Sequence, residues 1–158
     1  INYKWGYVDK NGKYIIDPVF DEAGDFVNGV ANVRCDEKWG LLNKAGKFIV
    51  HPSYQTVGSF SENLAPFELN NKWGFISNEG KIVIDPLFDA TGTFSKGLAR
   101  VKLNGKWGYI DTSGKLVLDI RFDEAENFDS IFDGEYALVK LNGRKALVNK
   151  QGELFWQE

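Results

Sequence analysis

The chain has 158 residues, 43% apolar and 15% aromatic, enough to bury one ordinary core and too apolar for a disordered segment. Its net charge of −3 supplies no basic field of the kind that draws proteins onto nucleic acid or anionic lipid. The apolar runs are short, so no membrane insertion is expected and no signal-peptide core is visible.

The first recognisable element is "WGYVD", opened by Lys4, Trp5 and Gly6. A turn "DKNG" follows, closed by Gly12, and then a second apolar segment "KYIID". Short polar side chains open such turns and glycine closes them. Next comes a linker, "PVFDEAGDFVNG", carrying Phe20 and Phe26. Its proline should end strand pairing, and its aromatics should pin it to the sheet. Beyond it, Ala31, Val33 and Cys35 alternate with Asn32 and Arg34, the two-residue beat of a half-buried strand. The pair Asp36-Glu37 then leads into "KWGLLN", with Trp39 and Gly40.

From there the phrase repeats. Lys-Trp-Gly recurs at Lys72 (Trp73, Gly74) and Lys106 (Trp107, Gly108), always 34 residues on. The alternating segment recurs as Ala65, Phe67, Leu69, as Ala99, Val101, Leu103, and as Ala137, Val139, Leu141. Its connection to the Trp-Gly strand is "NN" at Asn70-Asn71 and "NG" at Asn104-Gly105 and Asn142-Gly143, the residues that two-residue hairpin turns favour. A period of 34 also suits helical repeats, but the alternation selects strands. Each unit therefore reads as a three-stranded antiparallel meander plus linker. The units run roughly over 1–29, 30–63, 64–97, 98–134 and 135–158, and the first lacks its leading strand.

In the middle strand Trp73 and Phe75 lie on one face and Ile76 on the other. A strand apolar on both faces must be covered on both, so the units must stack. This predicts an all-β tandem array, either closed into a propeller-like ring or left open and curved. The incomplete first unit and Lys145-Ala146 in place of Trp-Gly in the fifth favour the open form. The four tryptophans are expected to be the large packing elements of the repeat, with Gly6, Gly40, Gly74 and Gly108 permitting close approach.

Lys-Trp-Gly, the Asp/Asn-x-x-Gly turn and Asp-Pro-x-Phe-Asp, at 17–21 and 85–89, together resemble the WG (KWG) repeats of bacterial proteins over the whole chain. The resemblance implies a non-enzymatic all-β repeat with interaction or surface roles, often in multidomain proteins. It favours an exported or cell-surface setting over the cytoplasm. A start at Ile1 without any methionine likewise leads us to expect a domain of a longer polypeptide.

Chemistry finds little support. His51 fills the slot of Asp17, Asp85 and Asp119, and Cys35 that of Leu69 and Leu103, which argues against a Cys–His nucleophile. One Cys and one His give no zinc spacing, and the single Cys leaves the compartment open. Asp21, Asp89 and Asp123 recur once per unit, as turn caps do, whereas acid–base catalysis needs two carboxyls in one asymmetric pocket. No enzyme activity, cofactor or metal is expected.

Specificity is best sought where the repeat departs from itself. The fourth linker is four residues longer and holds Asp129, Ile131, Phe132, Asp133, Glu135 and Tyr136. Acidic groups around aromatics would suit a protein partner, while the competing reading folds Phe132 back over the last unit. The function expected is a protein-interaction module. The alternative is glycan or small-ligand binding through exposed linker aromatics such as Tyr54.

Overall fold

The computed structural model describes residues 3–128 and 131–156. These form five consecutive antiparallel sheets. The first pairs only β1 (Trp5–Val8) with β2 (Tyr14–Phe20). The second contains β3 (Glu22–Ala23), β4 (Val30–Cys35), β5 (Lys38–Asn43) and β6 (Phe48–Tyr54), in that order. The third repeats it with β7 (Thr56–Val57), β8 (Leu64–Leu69), β9 (Lys72–Ser77) and β10 (Ile82–Phe88). The fourth has β11 (Ala90–Thr91), β12 (Leu98–Leu103), β13 (Lys106–Asp111) and β14 (Leu116–Phe122). The fifth has β15 (Glu124–Ala125), β16 (Tyr136–Leu141), β17 (Arg144–Asn149) and β18 (Leu154–Trp156), with a 3-10 turn at Ile131–Gly134 before β16.

The three expected strands per unit thus gain a fourth. One residue beyond the aromatic that ends each of β2, β6, β10 and β14, two linker residues pair with the next leading strand, as Glu22 does with Arg34 and Ala23 with Val33. A second tight turn then returns the chain: Asn28-Gly29, Glu62-Asn63 and Lys96-Gly97 all have positive φ. The hairpins into the Trp-Gly strand have it too, at Asp36-Glu37, Asn70-Asn71, Asn104-Gly105 and Asn142-Gly143, the backbone form that the right-handed twist of a hairpin requires.

The proline does not end the outer strand. Between Ile84, opposite Phe75, and Phe88, opposite Trp73, β10 carries two more residues than β9, and the Asp85-Pro86 segment bulges out of the ladder. Pro86 therefore forfeits no ladder bond, since its missing N–H lies in the bulge. This bulge explains the glycine after tryptophan. A Cβ on Gly40 would stand 2.5 Å from the Val50 carbonyl oxygen and 2.8 Å from the Pro52 nitrogen; Gly6 and Gly108 meet the same obstacle at 2.6 and 2.7 Å. The close approach is made by the adjacent strand of the same sheet.

Stacking follows from the two apolar faces. Leu41, Phe75 and Tyr109 look toward the following sheet, while Leu42, Ile76 and Ile110 look back. Leu41 and Tyr54 of the second sheet meet Val57, Ala65, Phe67 and Ile76 of the third, and each later junction is built the same way. Among the described residues five sheets are joined by four apolar clusters, where a closed ring would need a fifth between the ends. The array is open. Its terminal position shows at Val8, which fills the slot of Leu42 and Ile76 (0% exposed) yet is 53% exposed.

The tryptophans are less central than their regularity implied. Trp39, Trp73 and Trp107 are half-buried and Trp5 is 58% exposed, while the interiors are filled by Phe67, Phe75, Phe94, Tyr109, Phe122 and Phe128. The indole sits across from a charged leading-strand residue, Arg34, Glu68 or Lys102, which keeps one side of it near water. Lys145-Ala146 does not disturb the fifth unit, where Ala146 and Val148 are fully buried.

Candidate interaction surface

The lysine of Lys-Trp-Gly has a fixed partner. Lys4, Lys72 and Lys106 each place Nζ 2.5 Å from Oδ1 of Asp21, Asp89 and Asp123, the aspartate that follows the outer strand. The other carboxylate oxygen accepts a backbone N–H from the next hairpin turn: that of Asp36 for Asp21, Asn104 for Asp89 and Gly143 for Asp123. The lysine first, and this amide second, hold all three carboxyls below the ordinary carboxylate range. The recurrent aspartates are thus turn caps that tie successive hairpins together. In the second unit Gln55 replaces the aspartate and exchanges two hydrogen bonds with Asn71 (2.9 and 3.1 Å).

Neighbouring sheets are also linked by polar side chains. Asn32 donates to the Val57 carbonyl at 2.9 Å, and at the matching slot Arg100 donates to that of Ala125. Ser61 donates to the Phe94 carbonyl at 2.7 Å, Ser95 to that of Phe128, and both carboxylate oxygens of Glu62 accept from the Gly97 N–H. These contacts fix the stacking register.

Two surface features remain for recognition. The first is a groove of about 280 Å³ where the fourth sheet meets the fifth, bordered by Arg100, Trp107, Glu124, Glu126, Lys140 and Lys145. The Arg100 guanidinium lies 5.0 Å from the centre of the Trp107 ring, and Lys140 pairs with Glu124 at 3.1 Å, so its charges largely satisfy one another. The second is a rim formed by the outermost strands. Tyr14, Ile15 and Val19 on β2, Ile82, Val83 and Leu87 on β10, Leu116 and Val117 on β14, and Phe155 and Trp156 on β18 are all exposed. Each lies on the last strand of its sheet.

The fourth-linker patch is only partly open to description. Asp129 and the side chains of Ile131 and Phe132 lie outside the described residues. Asp133 (φ 57°) and Glu135 are exposed, and Tyr136 is half-buried with its ring packed edge-on against Phe155, 5.5 Å between centres. Tyr54 is a correction: it is 9% exposed, packed in the second cluster 4.7 Å from the Phe67 ring, and no sugar can stack on it. Burial raises its hydroxyl pKa. Cys35 and His51 border one shallow pocket, but burial and the carboxylates of Asp21 and Asp36 raise the thiol above its ordinary pKa. A nucleophilic cysteine requires the opposite shift.

The geometry defines a class: a tandem array of stacked antiparallel sheets, four of them four-stranded, tied at three of the four steps by a Lys–Asp–amide clip and at the other by Gln55 and Asn71. Residues 5–39, 39–73, 73–107 and 107–144 match the "WG containing repeat" family, and the chain belongs to it. No curated protein matches the sequence. Among solved structures it is similar to "Kluyveromyces lactis Hsv2 complete loop 6CD", at TM-score 0.56 and 11% identity over 90% of this chain. A second form, "KlHsv2 with loop 6CD replaced by a Gly-Ser linker", gives 0.55 and 9%, also over 90%. The chain spans about half of those chains, 52% and 55%, and the likeness concerns the fold alone. A plant lectin from Cicer arietinum, described as having two metal-binding sites, matches at TM-score 0.34 and 16% identity, over 80% of this chain and 84% of its own.

Proposed function

We propose that the chain is a non-catalytic module that takes up a protein partner along the rim of its outermost strands. The carrying observation is that exposed apolar side chains occupy one slot in four of the five sheets, Ile15, Val83, Val117 and Phe155, while Ile49 at the same slot of the second sheet is half-buried. Such an edge, with unpaired backbone groups beside apolar side chains, invites another chain. The bulge in each of β2, β6, β10 and β14, with a proline in the first three, confines that invitation to the stretch before Asp17, His51, Asp85 and Asp119. The fourth-linker patch joins the rim through the Tyr136–Phe155 contact, and Asp133 and Glu135 add exposed carboxylates to that unit. A partner with apolar side chains and some basic ones fits best.

The test is site-specific photocrosslinking in the source cells. A photoreactive residue at Val83 or Val117 is expected to capture the same protein, while one at Lys44, on an exposed turn, captures none. Absence of a protein adduct at both rim sites, or an equal adduct at Lys44, overturns the reading.

A further inference from the structure

Asn32 in the second sheet and Arg100 in the fourth occupy the same slot of the leading strand, and their side chains differ in reach. Arg100 donates to the Ala125 carbonyl and also lays its guanidinium 5.0 Å from the centre of the Trp107 ring, where Lys102 brings a second cation to 5.6 Å. Asn32 donates to the matching carbonyl, that of Val57, at 2.9 Å, and its side chain ends there. Arg34, in the place of Lys102, turns to Glu22 at 3.1 Å. Among the described residues, therefore, no cation lies over the Trp39 ring. A pocket of about 260 Å³ stands there, bordered by Glu22, Asp25, Asn32, Trp39, Ser59 and Phe60.

The lining accepts and does not donate charge. None of the residues bordering the pocket is basic. Asp25 is exposed and has no ionic partner among the described residues. Asn32 commits its Nδ2 to the next sheet, and its Oδ1 lies beside Gly24, where a Cβ would collide with it. The fourth sheet, which supplies its own guanidinium, has Ala90 and Thr93 where the second has Glu22 and Asp25. We propose that this pocket takes an arginine side chain of a partner polypeptide, its guanidinium against Trp39 as that of Arg100 lies against Trp107. A planar, weakly hydrated guanidinium stacks on an indole while its edge donates to oxygens, here those of Asp25 and Asn32. No residue of an outer strand borders the pocket, so this proposal and the rim proposal can fail separately.

The probe is N-acetyl-arginine amide, titrated into the whole chain and followed by the Trp39 indole N–H and the backbone amides in NMR. Saturable shifts are expected at Trp39, at 22–25 and at Ser59. N-acetyl-citrulline amide, which has the same shape without the charge, is expected to bind at least about fivefold more weakly. Asp25→Asn, at an exposed side chain, is expected to weaken the arginine probe. Asn32→Arg is the stricter test, because it gives the second sheet the guanidinium that the fourth already accommodates beside Gly92; it is expected to fold and to abolish probe binding. Failure to saturate, equal binding of the citrulline probe, or full binding by either variant overturns the proposal. Tighter binding of free arginine than of the capped probe also overturns it, since the site would then belong to the amino acid itself.

Discussion

Gly74→Ala puts the explanation of the Trp-Gly pair at risk with a single methyl group. The new Cβ would lie 2.8 Å from both the Asp85 carbonyl carbon and the Pro86 nitrogen, and closer still to the Ile84 carbonyl oxygen. All three are backbone atoms, so no side-chain rotation relieves the clash. Either β9 and β10 separate or the bulge at Asp85-Pro86 is rebuilt, and both options disturb Phe75 and Ile84, which help form the third apolar cluster. Overpacking of this kind costs about 3 kcal/mol, to which helix or turn preferences add nothing because Gly74 has ordinary strand φ. For a chain of this length that lowers the melting temperature by about 6–12 °C. Thermal and urea unfolding followed by circular dichroism, with Gly105→Asn as the control, measures it. Gly105 has φ +81° and open space around its Cβ direction, and asparagine tolerates that backbone, so the control should lose about 1 kcal/mol or less. Equal effects of the two substitutions would mean that the bulge does not need the glycine.

Further expectations follow from the same contacts. Ile110→Ala removes a side chain 1% exposed and should cost about 2–5 kcal/mol, whereas Val8→Ala should cost about 0.5 kcal/mol or less; a large loss at Val8 would show that another sheet covers it in solution. Glu37→Gly should stabilise the chain by about 0.5 to 1 kcal/mol in urea unfolding, because Glu37 holds φ at 65° where the matching positions are Asn71, Gly105 and Gly143. Lys72 lowers the pKa of Asp89, so the folded chain keeps this carboxylate ionised to lower pH than the unfolded chain does. The clip's contribution is then full above the ordinary carboxylate pKa and is lost as pH falls through the depressed value, where both states are protonated. Asp89→Asn should accordingly shift the urea midpoint at pH 7 and leave it unchanged near the acid limit; an equal shift at both would remove the carboxylate's charge from the account.

Much of the fold is legible in the residues because its devices are local. Alternation of Ala99, Val101 and Leu103, the Asn104-Gly105 turn and apolar residues on both faces of "WGYID" specify strands, hairpin and stacking without any long-range knowledge. The short strands are not legible in that way, since two residues such as Glu22-Ala23 cannot display a period. Asn28-Gly29 did carry a turn signal, hidden because its equivalents Glu62-Asn63 and Lys96-Gly97 lack the favoured pair. The Lys–Asp clip joins residues 17 apart, a constant spacing whose meaning depends on the register between three strands. Tyr54 reads as exposed from its polar neighbours, and only packing against Phe67 shows that the end of each outer strand turns inward.

The fifth sheet supplies an internal control for the role of the glycine. There Ala146 stands where Gly40, Gly74 and Gly108 stand in the preceding units, fully buried and opposite Val139. By the argument for Gly74 its methyl should collide with the next strand, yet β17 and β18 pair in unbroken register: Ala146↔Trp156, Leu147↔Phe155 and Val148↔Leu154. The described part of β18 carries no proline and no bulge, so no carbonyl is pushed toward the Cβ. Bulge and glycine therefore vary together: with both present the outer strand gains two residues and the aromatic at its end reaches the core, and with both absent the ladder is regular. Trp-Gly and the bulge of the outer strand are thus two halves of one device, written about a dozen residues apart in the sequence and joined only by strand pairing, whether the bulge reads Asp85-Pro86, His51-Pro52 or Asp119-Ile120. It follows that the destabilisation of Gly74→Ala should be relieved by shortening the Asp85-Pro86 bulge, and that deleting those two residues from the otherwise unchanged chain should be less harmful when alanine already occupies position 74.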